Sequence, residues 1–211
     1  MRLAKLIAAL MLGAGLSACA SVDTATRNAP LDAPMFQPAA LPLDVREVRV
    51  RVPRSLRVSE ANRYLPSGDI VWREDPPGDR YAQVGAIVQE ALERGVSEMP
   101  EGGVPVVLDV ELSKFHALTE KARYTFGGVH AIQFTYTLRD AETGAELAPP
   151  KFVKADFKAL GGQAAIAAER RGITQKVRIT AQLAQVIRTE LGTKDGYHAQ
   201  ATGLIGALNQ L

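Results

Sequence analysis

Between Ile132 and Arg139 apolar and polar residues alternate without a break: Ile132, Phe134, Tyr136 and Leu138 against Gln133, Thr135, Thr137 and Arg139. A period of two sends each set to its own face of a β-strand, so this segment needs one face covered and tolerates water on the other. Val106, Leu108, Val110 and Leu112 repeat the pattern, as do Val48, Val50 and Val52 around Arg49 and Arg51, up to Pro53. Half-wet strands of this kind are typical of antiparallel sheets.

Two amphipathic stretches can cover the dry face. Asp79 is placed to cap a helix running to about Arg94, with Gly95 at its end, and Val84, Ile87, Val88, Ala91 and Leu92 share one side of it. A later helix carries Ile173, Val177, Thr180, Ala184, Ile187 and Leu191 on one side. The Ala-rich run Gln163 to Arg171 either precedes it as a separate helix or belongs to it, interrupted at Gly172. After the third strand, Asp140 to Gly144 predicts a hairpin turn into a strand near Lys151–Ala159. The order is β-α-β-β-β-α, and the expected fold class is α+β: a two-layer sandwich with a mostly antiparallel sheet and two helices on one face. Residues 44–191 form this domain, large enough to be stable without disulfide or metal. Residues 192–211, with four glycines, are expected to fray.

Upstream the pattern changes. Arg2 and Lys5 precede an apolar run from Leu6 to Leu16, shorter than the about 20 residues a membrane span requires. The run ends in Leu16-Ser17-Ala18-Cys19, and Cys19 is the one cysteine of the 211 residues. That ending resembles the lipobox of bacterial lipoproteins. The resemblance implies a signal peptide over 1–18, lipid attachment at Cys19 and acylation of the new amino terminus. Residues 19–43, with Pro30, Pro34, Pro38 and Pro42, then read as an extended tether. By likeness to enteric lipoproteins, Ala20 after the cysteine implies the periplasmic leaflet of the outer membrane, with the periplasmic side of the inner membrane as the alternative. The 25 basic and 23 acidic residues give +2, and loss of Arg2 and Lys5 brings the mature chain to zero. A neutral chain has no footprint for nucleic acid.

Lipobox, tether and domain together look like the small envelope lipoproteins of Gram-negative bacteria, among them auxiliary lipoproteins of ABC-type transport systems. More closely, Asp69-Ile-Val-Trp-Arg73, Asp75-Pro-Pro-Gly-Asp-Arg80, Thr119-Glu-Lys-Ala-Arg-Tyr124 and Gly127-Gly-Val-His130 resemble an uncharacterised alphaproteobacterial lipoprotein family. That family has no assigned activity, so the resemblance implies a location and a fold without a mechanism.

Chemistry is hard to find. His116, His130 and His198 are far apart, no cysteine pair exists, and neither a metal nor another cofactor is expected. Cys19 is consumed by lipid, and Gly-x-Ser-x-Gly, Ser-x-x-Lys and a phosphate-binding Walker loop are absent. The chain is therefore expected to bind rather than catalyse. Three places stand out. Trp72, with Arg73 and Arg80, lies in a long Pro/Gly-rich segment and is a candidate partner anchor, the other reading being a short strand at Ile70-Val71-Trp72 capping the core. Arg46, Arg49, Arg51, Arg54 and Arg57 offer either an anionic contact or a charged strand edge that resists aggregation. Arg123, Tyr124 and His130, beside Gly127-Gly128, are a candidate ligand cleft. The expected function is an accessory module docking an envelope protein partner, with the membrane reached through the lipid anchor. A small-ligand binder and, behind it, a hydrolase of envelope polymers are the alternatives.

Overall fold

The computed structural model describes residues 42–199; Cys19, the signal segment, nearly all of the tether and the last twelve residues lie outside them. Six strands and four helices follow in the order β1 (Leu43–Arg51), β2 (Ile70–Val71), α1 (Arg80–Ser97), β3 (Val104–His116), α2 (Glu120–Arg123), β4 (Gly128–Asp140), β5 (Lys151–Lys154), β6 (Phe157–Ala159), α3 (Gly162–Glu169) and α4 (Gln175–Gly192).

The sheet is mixed, not mostly antiparallel. β1 and β2 both run parallel to β3, β1 along Val104–Glu111 and β2 at Phe115–His116. The antiparallel part is β3 with β4, and β4 with β5 and β6. The reason lies in the connection: a helix between two strands carries the chain back to the end where the first strand began, and the second then starts parallel to it. Alternation reports a wet face, whatever the direction of the neighbour.

α1 and α4 pack on each other and on the dry face. Asp79 caps α1 as the sequence predicts, its side chain accepting from Tyr81 N and Ala82 N. Gly95 does not end the helix. It lets the two helices touch, since a Cβ there would stand 2.5 Å from Ala184 O. On α4 the buried stripe is Ile179, Leu183, Val186 and Ile187, with Ala184 and Leu191; Ile173 and Val177, expected inside, are exposed. A single main core runs from Val48 to Leu191, with Leu43 and Tyr197 packed against it. Each large side chain fully buried in it contributes about 1.5–3 kcal/mol.

Two local features differ from the sequence reading for clear reasons. The strand expected over 151–159 is split because Asp156, buried in the gap, takes the place of a strand partner: its Oδ1 accepts from Ile132 N at 3.0 Å. Burial raises that carboxyl above the ordinary Asp range, against the pull of Lys154 and its hydrogen bonds. Residues 193–199 fold back. Tyr197 N donates to Glu190 Oε2 at 2.7 Å, and the buried Glu190 also accepts from Tyr136 Oη and Lys151 Nζ.

Candidate functional site

Trp72 is inside the protein. It is fully buried, packs edge-on to Phe115 with ring centroids 5.8 Å apart, and donates Nε1–H to Asp75 Oδ2 at 2.8 Å. β2 brings it there, so the segment caps the core rather than presenting an anchor, and the partner contact expected at Trp72 is corrected. Arg73 and Arg80 do not reach outward either. Arg80, buried, grips Glu60 at 2.7 Å and the carbonyls of Asp75 and Pro76. Arg73 joins Glu60 to Glu120 on α2. The acids beside them belong to the same mesh. Asp75 takes Lys176 at 2.9 Å, and Glu74 accepts from Gln175 N and Lys176 N at the start of α4. A carboxylate at a helix N-terminus meets unpaired N–H groups and the positive end of the dipole.

Arg123, Tyr124 and His130 do lie near one another, yet they enclose no cleft. Arg123 is nearly buried between Glu74, at 2.9 Å, and Glu169. Tyr124 Oη reaches Glu169 Oε2 at 3.3 Å. His130, 1% exposed, faces Phe157 with centroids 4.9 Å apart, and neither ring nitrogen has a hydrogen-bond partner. Burial, aided by Arg178 and Arg123, pulls its pKa down to about 3, so the ring is neutral. The void bounded by His130, Arg123, Gln175 and Arg178 measures about 10 Å³. Ligand pockets are some thirty times larger or more, so the cleft expected at these residues is corrected to a packed interior. Nor is the nearby Gly pair a hinge. Gly127 and Gly161 bring two backbones together, for a Cβ on Gly161 would lie 2.0 Å from Gly127 N.

The arginine series near β1 is internally neutralised. Arg46 pairs with Asp44, Arg49 with Glu47 and Asp109, Arg51 with Glu111, Arg54 with Asp79, and Arg57 with Asp69. The sheet face around Arg49, Arg51, Asp109, Glu111 and Arg139 holds an open depression of about 570 Å³ lined by these pairs.

Phe152 on β5 and Leu147 before it are exposed singly, and a group of apolar side chains is exposed together at one end of the sheet, where β3 finishes. Tyr64 and Leu65 from the loop before β2 meet Phe126 from the loop after α2; the exposures are 41%, 61% and 72%. The Tyr64 and Phe126 rings stand 4.7 Å apart, and Lys121 Nζ sits 4.7 Å above the Tyr64 ring. Arg63 is exposed beside them. A cleft of about 320 Å³ opens next to Tyr64 and Leu65, with Ala117, Leu118 and Val129 in its floor and Arg57, Lys114 and His116 on its rim. His116 Nε2 lies 2.7 Å from Gly68 O, and burial lowers its pKa. This tip is the candidate functional surface. Every acid around it is committed to a cation: Glu60, Asp69, Glu74, Asp75, Glu120 and Glu169 all sit in ion pairs. Arg63 and Lys121 have no carboxylate partner among the described residues, so the net charge offered is positive. In the sequence only Trp72, Arg73 and Arg80 stand out in this Pro/Gly-rich segment, and Tyr64 does not. The usable signal was an aromatic standing outside any period in a Gly/Pro-bounded loop, at Tyr64 and again at Phe126.

Among the described residues no three His, Cys, Asp or Glu side chains converge as metal ligands, and no helix is long and apolar enough to cross a membrane. No curated protein matches the chain. Among solved structures, a candidate lipoprotein from Caulobacter crescentus CB15 is 21% identical, with 51% of this chain and 80% of that one covered and a TM-score of 0.31. PelC from Paraburkholderia phytofirmans, solved as a dodecamer, is 18% identical over 68% of this chain and 92% of its own, with a TM-score of 0.26. Residues 43–207, a span that takes in every strand and helix described above, match the family of unknown function DUF6778, and the chain belongs to that family.

Proposed function

We propose that this chain is a lipid-anchored, non-catalytic binding module of the bacterial cell envelope that docks through the Tyr64–Phe126 tip. The observation that carries the docking surface is the tip itself: three large apolar side chains left in water on a base made rigid by buried arginines. Exposed apolar groups clustered in this way mark interaction sites. The Leu16–Cys19 motif supports the anchor, and with Ala20 it supports the periplasmic leaflet of the outer membrane over the inner membrane. An auxiliary role in a transport assembly is a narrower form of the same reading.

A photo-crosslinking amino acid in place of Phe126 tests it in intact cells. Ultraviolet light should give a discrete adduct from that position and none from the same probe at Glu142, an exposed turn residue at the other end of β4. Equal labelling at both positions, or none at either, overturns docking through the tip. Feeding an alkyne fatty acid tests the anchor separately: label should enter the wild type and not Cys19→Ser.

A further inference from the structure

We infer that the partner of this tip is the surface of an anionic lipid bilayer. The inference rests on the docking reading above and narrows its partner to one class. Its basis is the kind of residue exposed and the charge left over. Phe126 and Leu65 are more than half exposed, and Tyr64 stands beside them with the Lys121 ammonium over its ring. Aromatic rings and long cationic side chains at one level are what the boundary between water and hydrocarbon selects: apolar bodies sink, charged heads stay at the headgroups.

The electrostatics point the same way. Because the local acids are held by Arg57, Arg73, Arg80, Arg123 and Lys176, the tip has cations to offer and no free carboxylate. At the opposite end of the sheet the exposed Glu101 and Glu142 have no ion-pair partner among the described residues. The domain therefore presents its positive end to an anionic surface and turns negative groups away. A protein partner would need carboxylates matched to Arg63 and Lys121. An anionic leaflet supplies negative charge at every position and requires no matching shape, which suits single side chains projecting from two loops.

Reach permits the contact. The chain joins the domain at Leu43, paired with Val104 at the far end of β3. The thirteen residues of β3 separate that point from the tip by about 40 Å. The 23 residues from 20 to 42 have a contour length of about 70 Å, longer than that separation. The tip can thus touch the membrane that holds the acyl chains, and adds a second weak contact to the lipid anchor.

The test uses chain 20–211 without acyl groups, floated with vesicles of phosphatidylcholine alone or mixed with phosphatidylglycerol. Binding should require phosphatidylglycerol and weaken with salt. Lys121→Ala and Arg63→Ala should each weaken it about fivefold. Phe126→Ser should weaken it about tenfold or more. All three side chains are exposed, so these variants keep the fold. Arg46→Ala, an equal loss of charge at the other end, should leave binding unchanged. Equal binding to both vesicle types, no binding to either, or indifference to the three tip variants overturns the inference. The Phe126 photoprobe separates this from the reading it rests on. A lipid adduct supports both, a protein adduct keeps docking and overturns the bilayer, and no adduct overturns docking itself.

Discussion

Gln89 of α1 hydrogen-bonds the free edge of β1 as a neighbouring strand would: its Oε1 accepts from Val50 N at 3.0 Å, while its Nε2 donates to Val48 O at 2.6 Å. A side-chain amide has the same donor and acceptor as a peptide group, so one glutamine closes one rung of an edge that otherwise invites another chain. Gln89→Ala should cost about 1–2 kcal/mol in urea unfolding. It should also raise the concentration dependence of light scattering, because the rung is open again. A variant as stable and as monodisperse as wild type would show the clamp to be incidental.

The burial of Trp72 makes a prediction opposite to the one its rarity suggests. Trp72→Ala should destabilise the domain by about 3–5 kcal/mol, the usual cost of emptying a large aromatic site. Trp72→Phe should recover most of that, losing the bond from Nε1 to Asp75 and the packing of the second ring. Thermal unfolding of the two variants decides the matter: two folded proteins of unchanged stability would mean that the ring is dispensable to the core.

The residues show why some of the fold was legible and some was not. Alternation in β4 and the Asp79 cap of α1 are local patterns, and each formed where the sequence placed it. The parallel pairing of β1 with β3 is a property of the connection, carried by no residue of either strand. α2 is four residues long, too short for any period to reveal, although Thr119 caps it. The tip was missed because Trp72 drew attention as the sole tryptophan, and composition cannot report which aromatic of a loop turns inward. Ile173 and Val177 misled for a related reason: Ile173 lies before the cap Thr174, outside α4, and Val177 falls in its first turn, ahead of the stripe that begins at Ile179.

The buried Arg123 should behave as a structural ion. It bridges Glu74 and Glu169, and Glu74 in turn holds the first N–H groups of α4. Arg123→Ala leaves two carboxylates facing an interior without their cation, at about 3–5 kcal/mol. Glu74→Ala should cost less on its own. In a double-mutant cycle the double variant should lose less than the sum of the two single losses, since they share one interaction. Additive losses would mean that the helix start and the arginine act independently.

His130 should set part of the acid limit of the fold. Its pKa is held near about 3 by burial and by Arg178 and Arg123, against about 6.5 in an unfolded chain. Above about pH 6.5 the ring is neutral in both states and contributes no pH dependence. As pH falls from about 6.5 towards 3, the unfolded chain takes up a proton that the folded one refuses, and stability drops by up to about 1.4 kcal/mol per unit. His130→Leu removes this slope and two nitrogens that have no partner, so it should gain about 1–3 kcal/mol at pH 7. Its advantage over wild type should widen by about 2 kcal/mol between pH 7 and pH 5. Urea midpoints at the two pH values measure both effects. An advantage that stays constant with pH would show that His130 takes up its proton equally in the folded and unfolded chain, and so that its pocket supplies a partner for the charge.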